Sequence, residues 1–213
     1  MGLVAVYRPH NPDPSLTYIG FSPTQPPADS LAFRKALALA IDKSAVAHAV
    51  AVHFAVPRTP AAGIQHPGLP GYSRDTSPQA FDPARARALY RQSGWRGPVT
   101  ILVSSAATRY ARAYRDAVAQ SIHRSLGAQV ILKPAQDVGG LTRAAESGAA
   151  AVYMLRWQAD PKDLGYPSFA LGLAHDFFLS NDDVRRPVEN NDALRLERLL
   201  LERALIVPLS FDW

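Results

Sequence analysis

"VTILVSSAATRYARAYRDAVAQSIHRSLGAQVILKPAQDVGGLTRAAESGAAAVYMLRW", residues 99–157, decides the fold. "VTILV" (99–103) is apolar almost throughout, the pattern of a buried strand. A helix follows, with Tyr110, Tyr114, Ala117, Val118, Ser121, Ile122 and Ser125 on one face and Arg109, Arg112, Asp116 and His123 on the other. Gly127 stands where a helix ends in a left-handed residue. "AQVILKP" (128–134) reads as a second strand, 138–147 as a short helix and "AAAVYMLRW" (149–157) as a third strand. Strand, helix, strand, helix, strand is a βαβαβ unit. The expected class is therefore α/β, a mixed, mainly parallel sheet with helices on both faces.

Upstream, "TYIGF" (17–21) is a β-rich run closed by the Pro-heavy "SPTQPPAD". Asp29 is placed to cap a helix carrying Phe33, Leu37, Ala40 and Ile41, and Asp42 a second one carrying Val46, Ala49, Val50 and Phe54. Residues 56–80 hold too much Pro and Gly for regular structure and read as a long loop. In "FDPARARALYRQSGW", Asp82 caps a helix, Pro83 takes its first position, and Leu89, Tyr90 and Ser93 share a side. A tail helix is expected around 191–203, with Leu194, Leu201 and Ala204 at apolar positions, before a closing strand "LIVPLSF". The expectation is one domain over 1–213, with 1–16 an irregular lead-in.

Downstream of the third strand stands "RWQADPKD" (156–163), where Trp157, Asp160, Pro161 and Asp163 follow one another closely. Asp-Pro commonly starts a turn, so Asp160 reads locally as a turn or cap residue. Trp157 reads as core at a strand end or as a wall of a cleft.

The chain is 47% hydrophobic and 19% charged, an ordinary globular composition. No apolar run approaches the ~20 residues that span a bilayer, and no secretory signal is visible at the N-terminus. Zero cysteines exclude disulfides and thiolate metal sites. The net charge of +5 is spread along the chain rather than gathered into a nucleic-acid-binding run. No GxSxG elbow, phosphate loop, HExxH or calcium loop is present. His48 and His53, five apart on a helix, lie on different faces and make a poor metal pair. His175-Asp176 offers a base beside a carboxylate, but no motif places a nucleophile. Nothing marks a reaction centre, a metal site or a cofactor, so a binding protein rather than an enzyme is expected.

Five stretches in order resemble the family 5 extracellular solute-binding proteins. "TYIGFSPTQPPADSLAFRKALALAIDKSAV" is similar to that family's strand, "PP-D" connector and "R-AL-AID" helix pair. "FDPARARALYRQSGW" is similar to its "DP-KA--LL-EAG" helix, "VTILV…LGAQVIL" to its strand, long helix and strand, "RWQADPKD" to its "W-AD--DP" turn, and "ALIVPLSF" to its "--IPL" strand. The resemblance implies the C-terminal lobe of a two-lobed protein, the other lobe missing, that closes on a small peptide or similar polar solute and docks on an ABC permease. It implies a cleft-facing carboxylate at Asp160, for a ligand's amino group, with Trp157, Arg156 and Ser22 nearby. Ser22 stands where the family usually has Asn, Arg156 where it commonly has a small residue, and 175–190 is shorter than its usual run. Arg34 and Asp42 match strong family positions, yet an ion pair and a helix cap explain them structurally. The implied setting is periplasmic or extracellular and membrane-associated. The alternative is the solute-sensing domain of a cytoplasmic transcription regulator, with the DNA-binding region outside this chain and no nucleic-acid contact from the lobe itself.

Overall fold

A computed structural model describes residues 15–54, 58–67, 77–106, 108–158, 169–178 and 181–212. The βαβαβ unit is present: β3 (Val99–Val103), α4 (Arg109–Leu126), β4 (Val130–Pro134), α5 (Val138–Glu146) and β5 (Val152–Gln158). Before it come β1 (Ser15–Phe21), α1 (Leu31–Ala40), α2 (Lys43–Phe54), β2 (Thr59–Pro60) and α3 (Pro83–Gln92). After it come α6 (Phe169–Phe177), α7 (Asp182–Glu189), α8 (Ala193–Glu202) and β6 (Ile206–Asp212). The strands form one mixed sheet in the order β2-β6-β1-β5-β3-β4.

The expected class holds, with one refinement to its parallel character. β3 pairs parallel with β4 and β5, as crossover helices require, but β1 pairs antiparallel with both β5 and β6, and β2 antiparallel with β6. The parallel part is confined to the βαβαβ unit. β1 and β2 run against the other strands, whereas β6 runs in the same direction as β5 and is separated from it in the sheet by β1.

Helices cover both faces. On one, Leu16, Tyr18, Tyr153, Leu155 and Phe211 meet Leu141 of α5, Leu171 of α6 and Leu196 and Leu200 of α8. On the other, Ile19, Phe21, Ile101, Met154 and Val207 meet Phe33 and Leu37 of α1, Val50 of α2, and Tyr114, Val118 and Ile122 of α4. β1 lies between these layers and is buried at every position, which is why "TYIGF" lacks alternation. Gly20 is required there: a Cβ would come within 2.3 Å of the Tyr153 ring. β4 is the sheet's other edge, and there Ile131 is exposed.

Several local expectations are met and several shift. Asp42 Oδ1 accepts the Ala45 N–H at 3.0 Å, Asp82 caps α3 behind Pro83, and Gly127 ends α4 at φ 69°. The α1 cap is Ser30, one residue after Asp29: the preceding turn still includes Asp29, and Ser30 is the extended residue before the helix, whose Oγ accepts from the Phe33 N–H. Ser121 and Ser125, apolar-face positions of α4, both donate to the Ala40 carbonyl, and Ser121 Oγ accepts the Asp42 N–H. They satisfy the break between α1 and α2. Among the described residues Arg34 forms no carboxylate ion pair. It is buried and donates to the carbonyls of Ala28, Asp29 and Arg203, where desolvation and the neighbouring Arg203 lower its pKa against the opposing pull of Asp29. Leu194 is exposed, because capping by Asp192 sets the buried stripe of α8 at Leu196, Glu197, Leu200 and Leu201. α6 and α7 are elements that the sequence patterns left unassigned.

The Pro/Gly-rich connector is not wholly irregular: it contains β2, and the chain beside β2 is held at several points. Glu197 is buried, and one carboxylate oxygen accepts the Ile64 N–H at 2.6 Å and the Gln65 N–H at 3.2 Å. Gln79 donates to the carbonyls of Leu201 and Ile206. Lys43 Nζ donates to the Ala61 carbonyl at 3.2 Å, and burial of this ammonium lowers its pKa from 10.5 to about 7.

Candidate functional site

β3 runs through α4 to β4 on one side, and the chain then returns through α5 to β5 on the other side of β3. The strand order therefore reverses between β5 and β3. In open α/β sheets, the crevice at the carboxyl ends of such a pair is where ligands bind, because the flanking loops diverge there. This is the edge at which "RWQADPKD" leaves β5.

The described side of the crevice is well held. Arg115 of α4 donates from Nη1 to the Ser104 carbonyl at 2.7 Å and from Nη2 to the Ala106 carbonyl at 3.2 Å, clamping the segment that leaves β3. Ser104 Oγ accepts the Ala106 N–H, and Ser105 Oγ donates to the Gln136 carbonyl, tying the ends of β3 and β4 together. Thr108 then caps α4 through the Ala111 N–H. On the β5 side, Arg156 is exposed and donates from Nε and Nη2 to Ser15 Oγ, at 3.1 and 2.9 Å. The two bonds fix the guanidinium against the start of β1. Trp157 points to the other face, half-buried against the core of α5, α6 and α8. Behind Arg156, the Tyr114 and Ser210 hydroxyls are hydrogen-bonded to each other, while Thr17 Oγ1 is buried without a partner among the described residues.

The residues singled out from sequence fall in different places. Arg156 and Trp157 are neighbours at the carboxyl end of β5. Asp160 lies outside the described residues, and with it the question of an Arg156–Asp160 pair. Ser22 is not brought to this edge. Its N–H donates to the Ala151 carbonyl, before β5 begins, and its Oγ donates to the Gly148 carbonyl at 3.1 Å. Five residues of strand at ~3.3 Å each put Ala151 about 17 Å from Arg156. Ser22 follows β1 and Arg156 lies in β5, and the two strands run antiparallel. Tyr114 is core, as expected, and His48 is exposed on α2. The side chains of Tyr110, His53, His175 and Asp176 lie outside the described residues. Among the described residues no group of three or more His, Cys, Asp or Glu is placed to hold a metal ion, and no helix is long and apolar enough to cross a membrane.

Arg115, Ser104, Ser105 and Ser15 were not singled out from the sequence. The signal for Ser104 and Ser105 was available: "SSAATR" (104–109) joins a strand's carboxyl end to a helix start inside a βαβ unit, where site loops lie.

The model of the bacterial extracellular solute-binding proteins, family 5 Middle, matches residues 4–174. The glutathione-binding protein GsiB of Salmonella choleraesuis (strain SC-B67) is 38% identical over 78 residues, 37% of this chain and 14% of that relative. Among solved structures, the ABC transporter substrate binding protein CtaP of Listeria monocytogenes superposes with a TM-score of 0.73 at 18% identity, covering 94% of this chain and 44% of that one. The murein tripeptide binding protein MppA of Escherichia coli superposes with a TM-score of 0.67 at 20% identity, covering 93% and 42%. This chain thus spans less than half the length of these relatives. At such identities the superpositions speak for the fold.

Proposed function

The chain belongs to the bacterial extracellular solute-binding proteins of family 5, and we propose that it is a non-catalytic ligand-binding lobe serving an ABC transporter. The observation that carries the reading is the topological switch point between β5 and β3, with "RWQADPKD" leaving at its edge. The same edge is where β1 begins and β6 ends, since Ser15 pairs with both Gln158 and Asp212. In a protein of the relatives' length, a second lobe joined through these two strands would face the crevice directly. Closure of the two lobes over the solute, followed by docking on a membrane permease in the periplasm or at the cell surface, is the mechanism proposed.

The ligand is proposed to be an oligopeptide or a similar small polar solute. Asp160 is the carboxylate for a ligand's ammonium, which forms a short charge-assisted hydrogen bond once closure excludes water. Trp157 and Arg156, at the end of β5, line the same cleft, and Ser22 stands apart from it. The glutathione-binding relative makes glutathione a natural first probe. No observation favours the regulator alternative.

The test is ligand-induced stabilisation of the full-length protein, with glutathione and a panel of di- and tripeptides, beside native mass spectrometry for a co-purified solute. Asp160→Ala is expected to fold normally and lose the ligand-induced thermal shift. Equal shifts in wild type and variant would remove Asp160 from the site.

A further inference from the structure

At the end of the sheet away from the proposed crevice, a cleft of about 290 Å³ opens between the end of β1, the end of α5 and the α6–α7 junction. Its walls include Ser22, Thr24, Glu146, Tyr153, Phe178 and Asn181. That is room for several waters or for a molecule the size of an amino-acid side chain.

The walls have a definite chemistry. Tyr153 is 1% exposed, borders the cleft, and its phenol makes no hydrogen bond among the described residues. An occupant of the cleft would offer this hydroxyl a hydrogen-bond partner. Burial pushes the phenol's pKa up, so it stays neutral and can donate or accept. Among the described residues, Glu146 is the only ionisable lining residue besides this phenol, and no cationic side chain borders the cleft. Glu146 is also the last residue of α5, so the helix's carbonyl end adds negative potential. Ser22 Oγ, already donating to Gly148, stands 3.3 Å from Thr24 Oγ1, and both retain acceptor capacity. Phe178 and Leu205 supply an apolar wall.

We propose that this cleft is a second binding site, for a small amphipathic amine whose ammonium meets Glu146 and the Ser22–Thr24 oxygens while its apolar body lies against Phe178 and Tyr153. The family resemblance pointed to Ser22 as a ligand contact, and in this proposal it has that role at a place separate from the crevice. The proposal does not depend on the function proposed above, since about 17 Å of strand separates the two sites.

The experiment is a titration of the chain with 2-phenylethylamine, followed by amide chemical shifts, with 2-phenylethanol and 3-phenylpropionate as neutral and anionic counterparts. Saturating shifts are expected at the amides of Ser22, Thr24, Gly148 and Asn181 and not at Trp157 or Gln158. The amine should bind more tightly than the alcohol, and the carboxylate not at all. Glu146→Gln, an exposed position, and Tyr153→Phe, which keeps the ring, should each weaken the amine by about two- to tenfold, the worth of one hydrogen bond. No shifts at these amides up to millimolar amine, equal binding of the carboxylate, or unchanged affinity in both variants would overturn the proposal.

Discussion

The two ends of β5 obey different rules. Val152, Tyr153, Met154 and Leu155 are all buried, whereas Arg156 and Gln158 are exposed and Trp157 is half-buried. The first half is clamped between helix layers, and its neighbours are chosen by space: Gly20 exists so that the Tyr153 ring can lie on β1. The second half runs out past those layers, and its side chains are held by polar contacts such as Arg156 to Ser15. A charge at the open end is hydrated or available to a ligand. A charge or hydroxyl in the closed part must find its partners within the protein, and where it finds too few the fold bears the cost.

Lys43 tests that rule most strongly, as a buried ammonium with one carbonyl partner. Its folded pKa of about 7 is depressed below the unfolded value, so between pH 7 and about 10.5 the unfolded chain binds more protons. Stability then rises with pH across that window, by roughly 3–5 kcal/mol for a shift of this size. Urea midpoints measured from pH 6 to 10 should show the rise, and Lys43→Met should abolish it and be the more stable protein at pH 6. A flat wild-type profile would place the Lys43 charge in water. Next in size is Gly20→Ala, which pushes a methyl into the Tyr153 ring and is expected to cost about 2–3 kcal/mol in denaturant unfolding. A neutral outcome would show that the closed half of β5 gives way more easily than its packing implies.

Glu197→Ala leaves the Ile64 and Gln65 N–H groups without their acceptor and should cost about 2 kcal/mol. Glu197→Gln keeps a carbonyl oxygen there and should cost less than half of that. Equal losses in the two variants would mean that packing, and not the acceptor, is what Glu197 supplies. The smallest effect is expected at the open end. Arg156→Ala should change stability by about 1 kcal/mol or less, while reducing glutathione-induced stabilisation of the full-length protein if the crevice is the ligand site. A large loss of stability with ligand binding intact would turn the comparison around and make Arg156 a structural residue.

Much of the architecture could be read from local pattern. The 3.6-residue face of α4, the capping by Asp42 and Asp82, and the left-handed Gly127 each depend on interactions within a few residues, and each stands as expected. Failures occurred where the deciding partner is distant. Asp29 lost the α1 cap to Ser30 because the preceding turn extends through Asp29. Arg34 found carbonyls rather than a carboxylate because the end of α8 is brought against it. The Pro/Gly connector acquires order from Glu197, more than 130 residues away in sequence. At the candidate site, Arg156 and Trp157 were identifiable because they end a strand. Arg115 was not, because its targets Ser104 and Ala106 lie on the loop that its own helix follows, a contact with no periodic signature.

The sequence alone determined the βαβαβ unit, and with it the edge at which "RWQADPKD" emerges, since strand period, helix period and crossover handedness are all short-range constraints. Only the tertiary structure decided that Ser22 and Arg156 belong to opposite ends of the molecule. β1 carries no local mark of its direction in the sheet, and antiparallel pairing with β5 sends the residue after one strand to the start of the other. The same pairing that buries β1 on both faces separates the residues that family resemblance had grouped together.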